Sequence, residues 1–182
     1  YNDDENYLRL TKEAYSIDST EFSVVNNYHS ALNENGRFKE SERLMKTDNF
    51  KNLYRVGTRG WLQRQYYYYY HKEEYNKVKE IIEDTLFSRS YNNKANAYAQ
   101  MGDFKKLDSI RKIGFLRSID KAFVAAILKK RDSMYYYLDQ DDITLNHAQL
   151  ANSRREFDPY RKESRYITFL KKYYFPVDEQ KN

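Results

Sequence analysis

Residues 90–114 read SYNNKANAYAQMGDFKKLDSIRKIG, and this stretch decides the fold. Four residues in its first half share one helical face: Ala95, Tyr98, Ala99 and Met101. Gly102-Asp103 then has the composition of a helix end followed by a new N-cap. Phe104, Leu107 and Ile110 follow at helical spacing and predict the apolar face of a second helix. Because the turn is so short, the two helices must pack antiparallel.

The same pattern of helix, turn and helix occurs four times along the chain. The four turns are centred on Gly36, Glu73, Gly102 and Lys129, and each separates two segments with apolar residues at helical spacing. Residues 4–16 lack such a turn and predict the second helix of a truncated hairpin, which ends at residues 17–19. Both prolines lie in the last stretch of the chain, so helices can run unbroken before it.

These patterns predict an all-α fold, an α-α superhelix (solenoid) of about four antiparallel helical hairpins with a C-terminal capping helix. Each hairpin alone exposes an apolar stripe that a neighbouring hairpin would bury. We expect one domain over residues 1–182, with the truncated hairpin in 1–19, the repeats in 20–142 and a capping segment in 143–182. The alternative is an irregular bundle of the same helices.

The composition excludes several classes of protein. Of the 182 residues 40% are hydrophobic, 20 are Tyr and 10 are Phe, and the net charge is +5, which argues against disorder. No Cys is present, so disulfides and thiolate metal sites are excluded. The longest apolar run, 122–128, is too short to span a bilayer. Since the chain begins at Tyr1, we expect a fragment of a longer protein; its compartment is undecided, with the cytoplasm slightly favoured.

Two sets of residues resemble a known family. Residues 97–104 (AYAQMGDF) and 36–38 (GRF) are similar to the central turn of the tetratricopeptide repeat. Residues 157–166 (FDPYRKESRY), followed by Phe169-Leu170 and Pro176, resemble the closing motif of tetratricopeptide arrays behind bacterial signalling and transcription-regulator domains. The turns lie 37, 29 and 27 residues apart, whereas the family repeat is about 34 residues. The resemblance implies a tetratricopeptide-like binding scaffold without catalytic residues.

The closing motif also has a physical interpretation. Asp158-Pro159 suits a helix start, with Asp as the N-cap and Pro at the first helical position. Arg161 and Arg165 are four residues apart and are expected to share a helix face. The exposed end of a repeat stack needs an apolar cover, for which the sequence offers Ile167, Phe169 and Leu170.

The sequence offers no pattern typical of an active site. Its three histidines, His29, His71 and His147, fall in separate parts of the chain without metal-ligand spacing. There is no G-x-S-x-G motif and no phosphate-binding loop. We therefore expect no enzyme activity, no bound metal and no cofactor.

The first helix of each hairpin lines the concave face of such a stack. The positions on that face predict a partner-binding groove formed by Asn26, Ser30, Asn33, Gln63, Tyr67, Tyr70, Arg89, Asn92 and Asn96. Their amide and hydroxyl groups could bind an extended peptide backbone. No Lys lies among them, which disfavours a clamp for a peptide carboxylate. In the fourth hairpin the same positions predict core: Leu116, Ile119, Phe123 and Ala126.

The leading hypothesis is a non-catalytic protein-interaction scaffold or sensor module that binds a protein or peptide partner in this groove. An isoelectric point near 9.1 and abundant Tyr and Arg leave nucleic-acid binding as an alternative, although the basic residues alternate with acidic ones. A regulatory domain that binds a small ligand is a further alternative. For the run Tyr66–Tyr70 we favour packing between helices over a binding surface.

Overall fold

The computed structural model describes residues 4–87, 89–113 and 116–173, which form α-helices and two 3-10 helices without a β-strand. The 3-10 helices are Thr85–Phe87 and Arg155–Tyr160. The α-helices are α1 (Asp4–Ile17), α2 (Phe22–Glu34), α3 (Phe38–Lys46), α4 (Asp48–Tyr54), α5 (Arg59–His71), α6 (Tyr75–Glu83), α7 (Tyr91–Met101), α8 (Phe104–Lys112), α9 (Ser118–Ile127), α10 (Arg131–Leu138), α11 (Leu145–Ser153) and α12 (Ser164–Lys172).

The contacts divide the chain into two compact units. The N-terminal unit comprises residues 3–90 and contains α1 to α6. The C-terminal unit comprises the residues from 91 on and contains α7 to α12.

All four predicted hairpins are present as the pairs α2–α3, α5–α6, α7–α8 and α9–α10. Each turn residue adopts the left-handed backbone conformation, with φ of 68° at Gly36, 63° at Glu73, 70° at Gly102 and 55° at Lys129. Only glycine reaches this region without a steric cost, which is about 1–2 kcal/mol for other residues. Two of the four turns therefore hold strained non-glycine residues, and packing of the flanking helices must compensate for that strain.

Gly102, which has positive φ in a turn, and Gly60, which lies within α5, together test the backbone conformation of the turn. A Cβ added to Gly102 would meet no atom within 4 Å, so Gly102→Ala changes only the backbone preference. We expect it to lower the free energy of unfolding by about 1 kcal/mol. Gly60→Ala, within α5 and with ordinary contacts at 3.7 Å, should raise it by about 0.5 kcal/mol. Urea denaturation measures both changes, and equal signs would contradict the assigned turn geometry.

The core of the N-terminal unit lies among α2, α3, α4 and α5. Helix α1 packs against α2. In α5 the side chains of Tyr66, Tyr68 and Tyr70 are buried, and those of Tyr67 and Tyr69 are half-buried. The tyrosine run therefore packs on several sides of one helix, because α5 contacts α2, α4, α6 and the 3-10 helix Thr85–Phe87.

The core of the C-terminal unit is centred on α9, which contacts α7, α10 and α11. The four positions predicted to be core in the fourth hairpin are buried, as expected: Leu116, Ile119, Phe123 and Ala126. The prediction for α8 was partly wrong. Leu107 and Ile110 are buried, but Phe104 is 57% exposed because it stands at the first position of the helix.

The closing motif differs from its predicted geometry. Asp158-Pro159 does not begin an α-helix but lies within the 3-10 helix Arg155–Tyr160, and α12 begins only at Ser164. The Asp158 carboxylate accepts a hydrogen bond from Arg161 Nε at 2.6 Å and so fixes this turn rather than capping a helix. Pro176 lies outside the described residues.

The two arginines of the motif do not share a helix face, because Arg161 precedes α12. Arg161 donates to Asn152 and to the Arg154 carbonyl, whereas Arg165 donates to Asp139 at 2.6 Å. Both arginines therefore tie the closing segment to earlier elements of the unit. Phe169 and Leu170 are buried and Ile167 is half-buried, in a helix that packs on α10 and α11.

Candidate partner-binding surface

Helices α2 and α5 lie side by side in the N-terminal unit, and they carry most of the predicted groove residues. Half-buried side chains at these positions are Asn26, Ser30, Gln63 and Tyr67. They present amide, hydroxyl and phenol groups that remain partly open to solvent. The first helices of the first two hairpins thus contact each other.

Two of the predicted groove residues are buried instead of lining the surface. Asn33 is 2% exposed and Tyr70 is 1% exposed, so neither side chain reaches a partner. Both lie in the last turn of their helix, and the Asn33 amide nitrogen lies 3.3 Å from Nε2 of the buried His29. The Tyr70 ring stacks on Tyr66 at 5.4 Å and meets Tyr75 edge-on at 6.4 Å.

The remaining three predicted residues lie elsewhere. Arg89 is exposed in a turn at the end of the N-terminal unit. Asn92 and Asn96 are half-buried on α7 of the C-terminal unit. Asn96 Oδ1 is buried and accepts no hydrogen bond from any described residue. The structure thus brings together the residues of α2 and α5, whereas Asn92 and Asn96 belong to a different unit.

Arg64 of α5 joins the two helices and is the residue that the sequence argument missed. Its Nη1 donates a hydrogen bond to Asn26 Oδ1, which also accepts from the Tyr54 hydroxyl at 3.3 Å. The guanidinium carbon lies 5.0 Å from the centre of the Tyr67 ring and 5.6 Å from that of Tyr54, both within cation–π range. One amide and two aromatic rings therefore hold this cation.

Arg64 is 9% exposed and forms no ion pair with a carboxylate of the described residues. Desolvation by burial lowers the pKa of its guanidinium below the usual value. A buried charge without a counter-charge costs free energy, which aromatic rings and an amide only partly offset. The site is therefore electrostatically incomplete and would be stabilised by an anion.

A second buried polar pair lies in the same region of α2. His29 is fully buried, its ring is 5.2 Å from that of Phe50, and the Asn33 amide nitrogen lies 3.3 Å from its Nε2. Burial, together with the positive charge of Arg64 and the field of His71, lowers the pKa of His29 to about 3. The imidazole is therefore neutral at ordinary pH and adds no second charge beside Arg64.

The helix face on which Gln63 and Tyr67 were predicted to line the groove does not include position 64. One signal could have identified it. Arg64 precedes Tyr67 by three and Tyr68 by four residues, so a cation shares its helix face with two aromatic rings. The burial of Arg64 itself depends on Asn26 and Tyr54, which are distant in sequence.

No family model, curated protein or solved structure matches the chain. Within the described ranges, no group of three His, Cys, Asp or Glu side chains is arranged to hold a metal ion. None of the helices described here combines the length and apolar character needed to cross a bilayer.

Proposed function

We propose that the chain is a non-catalytic protein-interaction module whose N-terminal unit binds an extended, carboxylate-bearing segment of a protein partner on α2 and α5. The observation that carries this proposal is Arg64, a guanidinium nine-tenths buried and without a carboxylate partner among the described residues. A carboxylate can accept two parallel hydrogen bonds from a guanidinium. In a desolvated site such a pair is stronger than at an open surface.

The neighbouring side chains suit the backbone of an extended peptide. The carbonyl oxygen of the Asn26 side chain accepts hydrogen bonds from Arg64 and Tyr54. Its amide nitrogen is left to donate to a peptide. Gln63 is half-buried one position before Arg64, and Tyr67 provides an aromatic wall. Tyr and Arg are the side chains most enriched among residues that dominate binding energy.

We further infer that the hairpins form a tetratricopeptide-like superhelix. Within each unit the first helices of consecutive hairpins pack on one another, α2 on α5 and α7 on α9. All four turns use a left-handed residue at the corresponding position. The likeness of the closing motif to that of bacterial signalling proteins supports a regulatory setting for the binding event.

A random-peptide phage selection on the whole chain tests the proposed function. We expect enrichment of peptides with Asp, Glu or a free C-terminal carboxylate. Arg64→Gln should weaken binding of an enriched peptide at least tenfold, since a hydrogen bond to a charged group is worth about 1.5–3 kcal/mol. Arg43→Gln, at an exposed position of α3 in the same unit, is the matched control and should leave binding unchanged.

The selection can contradict the proposal in two ways. Recovery of no peptides above background would reject a peptide-binding surface. Enriched peptides whose affinity is equal for the parent chain and Arg64→Gln would reject Arg64 as the anchor. Circular dichroism of both variants separates these results from misfolding.

A further inference from the structure

The C-terminal unit contains a pocket of about 310 Å³, and its lining residues lie between positions 111 and 137. It is formed by the last turn of α8, by α9 with Leu116 two residues before it, and by α10 from its N-cap residue to its last turn. Its lining residues are Arg111, Leu116, Lys121, Val124, Ala125, Lys130, Ser133 and Tyr137. A volume of this size matches the small end of the range for small-molecule sites.

The floor of the pocket is apolar. Leu116, Val124 and Ala125 are all buried, with exposures of 6%, 0% and 2%. These side chains belong to the core around α9, so the floor is held in place by packing. An apolar ligand group placed against them would be removed from contact with water, which is favourable, and would displace no polar side chain.

The rim of the pocket is basic. Arg111, Lys121 and Lys130 line it, and no carboxylate from the described part of the chain does. Arg111 forms a long ion pair with exposed Asp108, in which Nη1 lies 3.6 Å from Oδ1. Lys121 and Lys130 form no ion pair with a described residue. Three cations around one opening repel one another, and an anion in the pocket would remove that repulsion.

Three further features favour a doubly charged anion. Ser133 and Tyr137 add hydroxyl groups that can donate hydrogen bonds to oxygen atoms of a ligand. Lys130 is the N-cap residue of α10, so the positive end of that helix dipole lies at the opening. Lys121 Nζ lies 5.8 Å from the centre of the Tyr137 ring, which holds this cation beside the pocket.

We propose that this pocket binds a small organic phosphate, with the phosphate group on Arg111, Lys121 and Lys130 and the apolar body on the floor. A phosphate monoester carries close to two negative charges at neutral pH and offers three acceptor oxygens. This inference is independent of the peptide surface on α2 and α5, because it involves other residues of another unit.

Isothermal titration calorimetry of the whole chain tests this site with three probes. Phenyl phosphate carries both the charge and the apolar body, inorganic phosphate only the charge, and phenol only the ring. We expect saturable binding of phenyl phosphate, at least tenfold tighter than either of the other probes. Equal affinity for inorganic phosphate, or no saturable binding of phenyl phosphate, overturns the proposal.

Paired lysine variants locate the binding. Lys121→Gln/Lys130→Gln should weaken phenyl phosphate binding at least tenfold. Lys105→Gln/Lys162→Gln removes the same net charge from exposed positions of the same unit and should leave the affinity within twofold. An equal loss of phenyl phosphate affinity in both double variants would show a general effect of net charge and would overturn the proposed site. Arg64→Gln should bind phenyl phosphate normally, which separates this result from the test of the peptide surface.

Discussion

Replacing Phe157 by alanine is expected to lower the free energy of unfolding by about 3–5 kcal/mol. Phe157 is fully buried in the core of the C-terminal unit. Its ring meets Phe123 of α9 at 5.0 Å and Tyr166 of α12 at 5.9 Å, so it joins the closing segment to the central helix. The substitution removes both contacts and leaves a cavity. Urea denaturation followed by circular dichroism measures the loss.

Phe104→Ala is the matched control, since it makes the same chemical change in the same unit. Phe104 is 57% exposed. Its replacement is expected to lower the free energy of unfolding by less than about 1 kcal/mol. A loss for Phe157→Ala no larger than that for Phe104→Ala would contradict the assignment of residues 155–172 to the core. It would also contradict a structural role for the closing motif.

Acid is expected to destabilise the N-terminal unit through His29. The pKa of His29 is lowered from 6.5 to about 3 in the folded chain. Below pH 6.5 the unfolded chain therefore takes up a proton that the folded chain does not. The free energy of unfolding should fall by about 1.4 kcal/mol per pH unit between pH 6.5 and about 3, which is about 2 kcal/mol at pH 5.

Comparison of variants isolates this effect from the titration of carboxylates. Urea unfolding at pH 7 and pH 5 should show a smaller pH dependence for His29→Gln than for the parent chain, by about 2 kcal/mol. An unchanged dependence in His29→Gln would show that the imidazole takes up its proton in the folded state.

The helical hairpins were predictable because each is encoded locally. A residue able to adopt positive φ stands between two segments with apolar spacing, and this was sufficient even at Glu73 and Lys129, which are not glycine. The short elements between the hairpins and after the last one were not predicted: α4, α11 and the two 3-10 helices. Their apolar residues are too few to show a period, and tertiary packing determines their conformation.

The candidate surface was predicted only in part. Asn26 and Tyr67 were identified from their distance to a turn, and they do lie on the facing helices. Asn33 and Tyr70 obey the same spacing but are buried by tertiary packing, which a one-dimensional rule cannot represent. Arg64 was missed because a charged residue in a polar helix is expected to be solvated. Its burial arises from a hydrogen bond to a residue 38 positions away.

The aromatic packing of α5 gives the molecule a built-in optical label. Trp61 is the single tryptophan of the chain and lies half-buried on α5, with its ring 6.1 Å from that of Phe50. Its emission depends on the solvent around that ring, and so on whether the core formed by α2, α4 and α5 is intact. Selective excitation of the indole therefore reports on residues 3–90, whereas far-ultraviolet dichroism reports on every helix. A difference between the two melting curves would measure how independently the two units unfold.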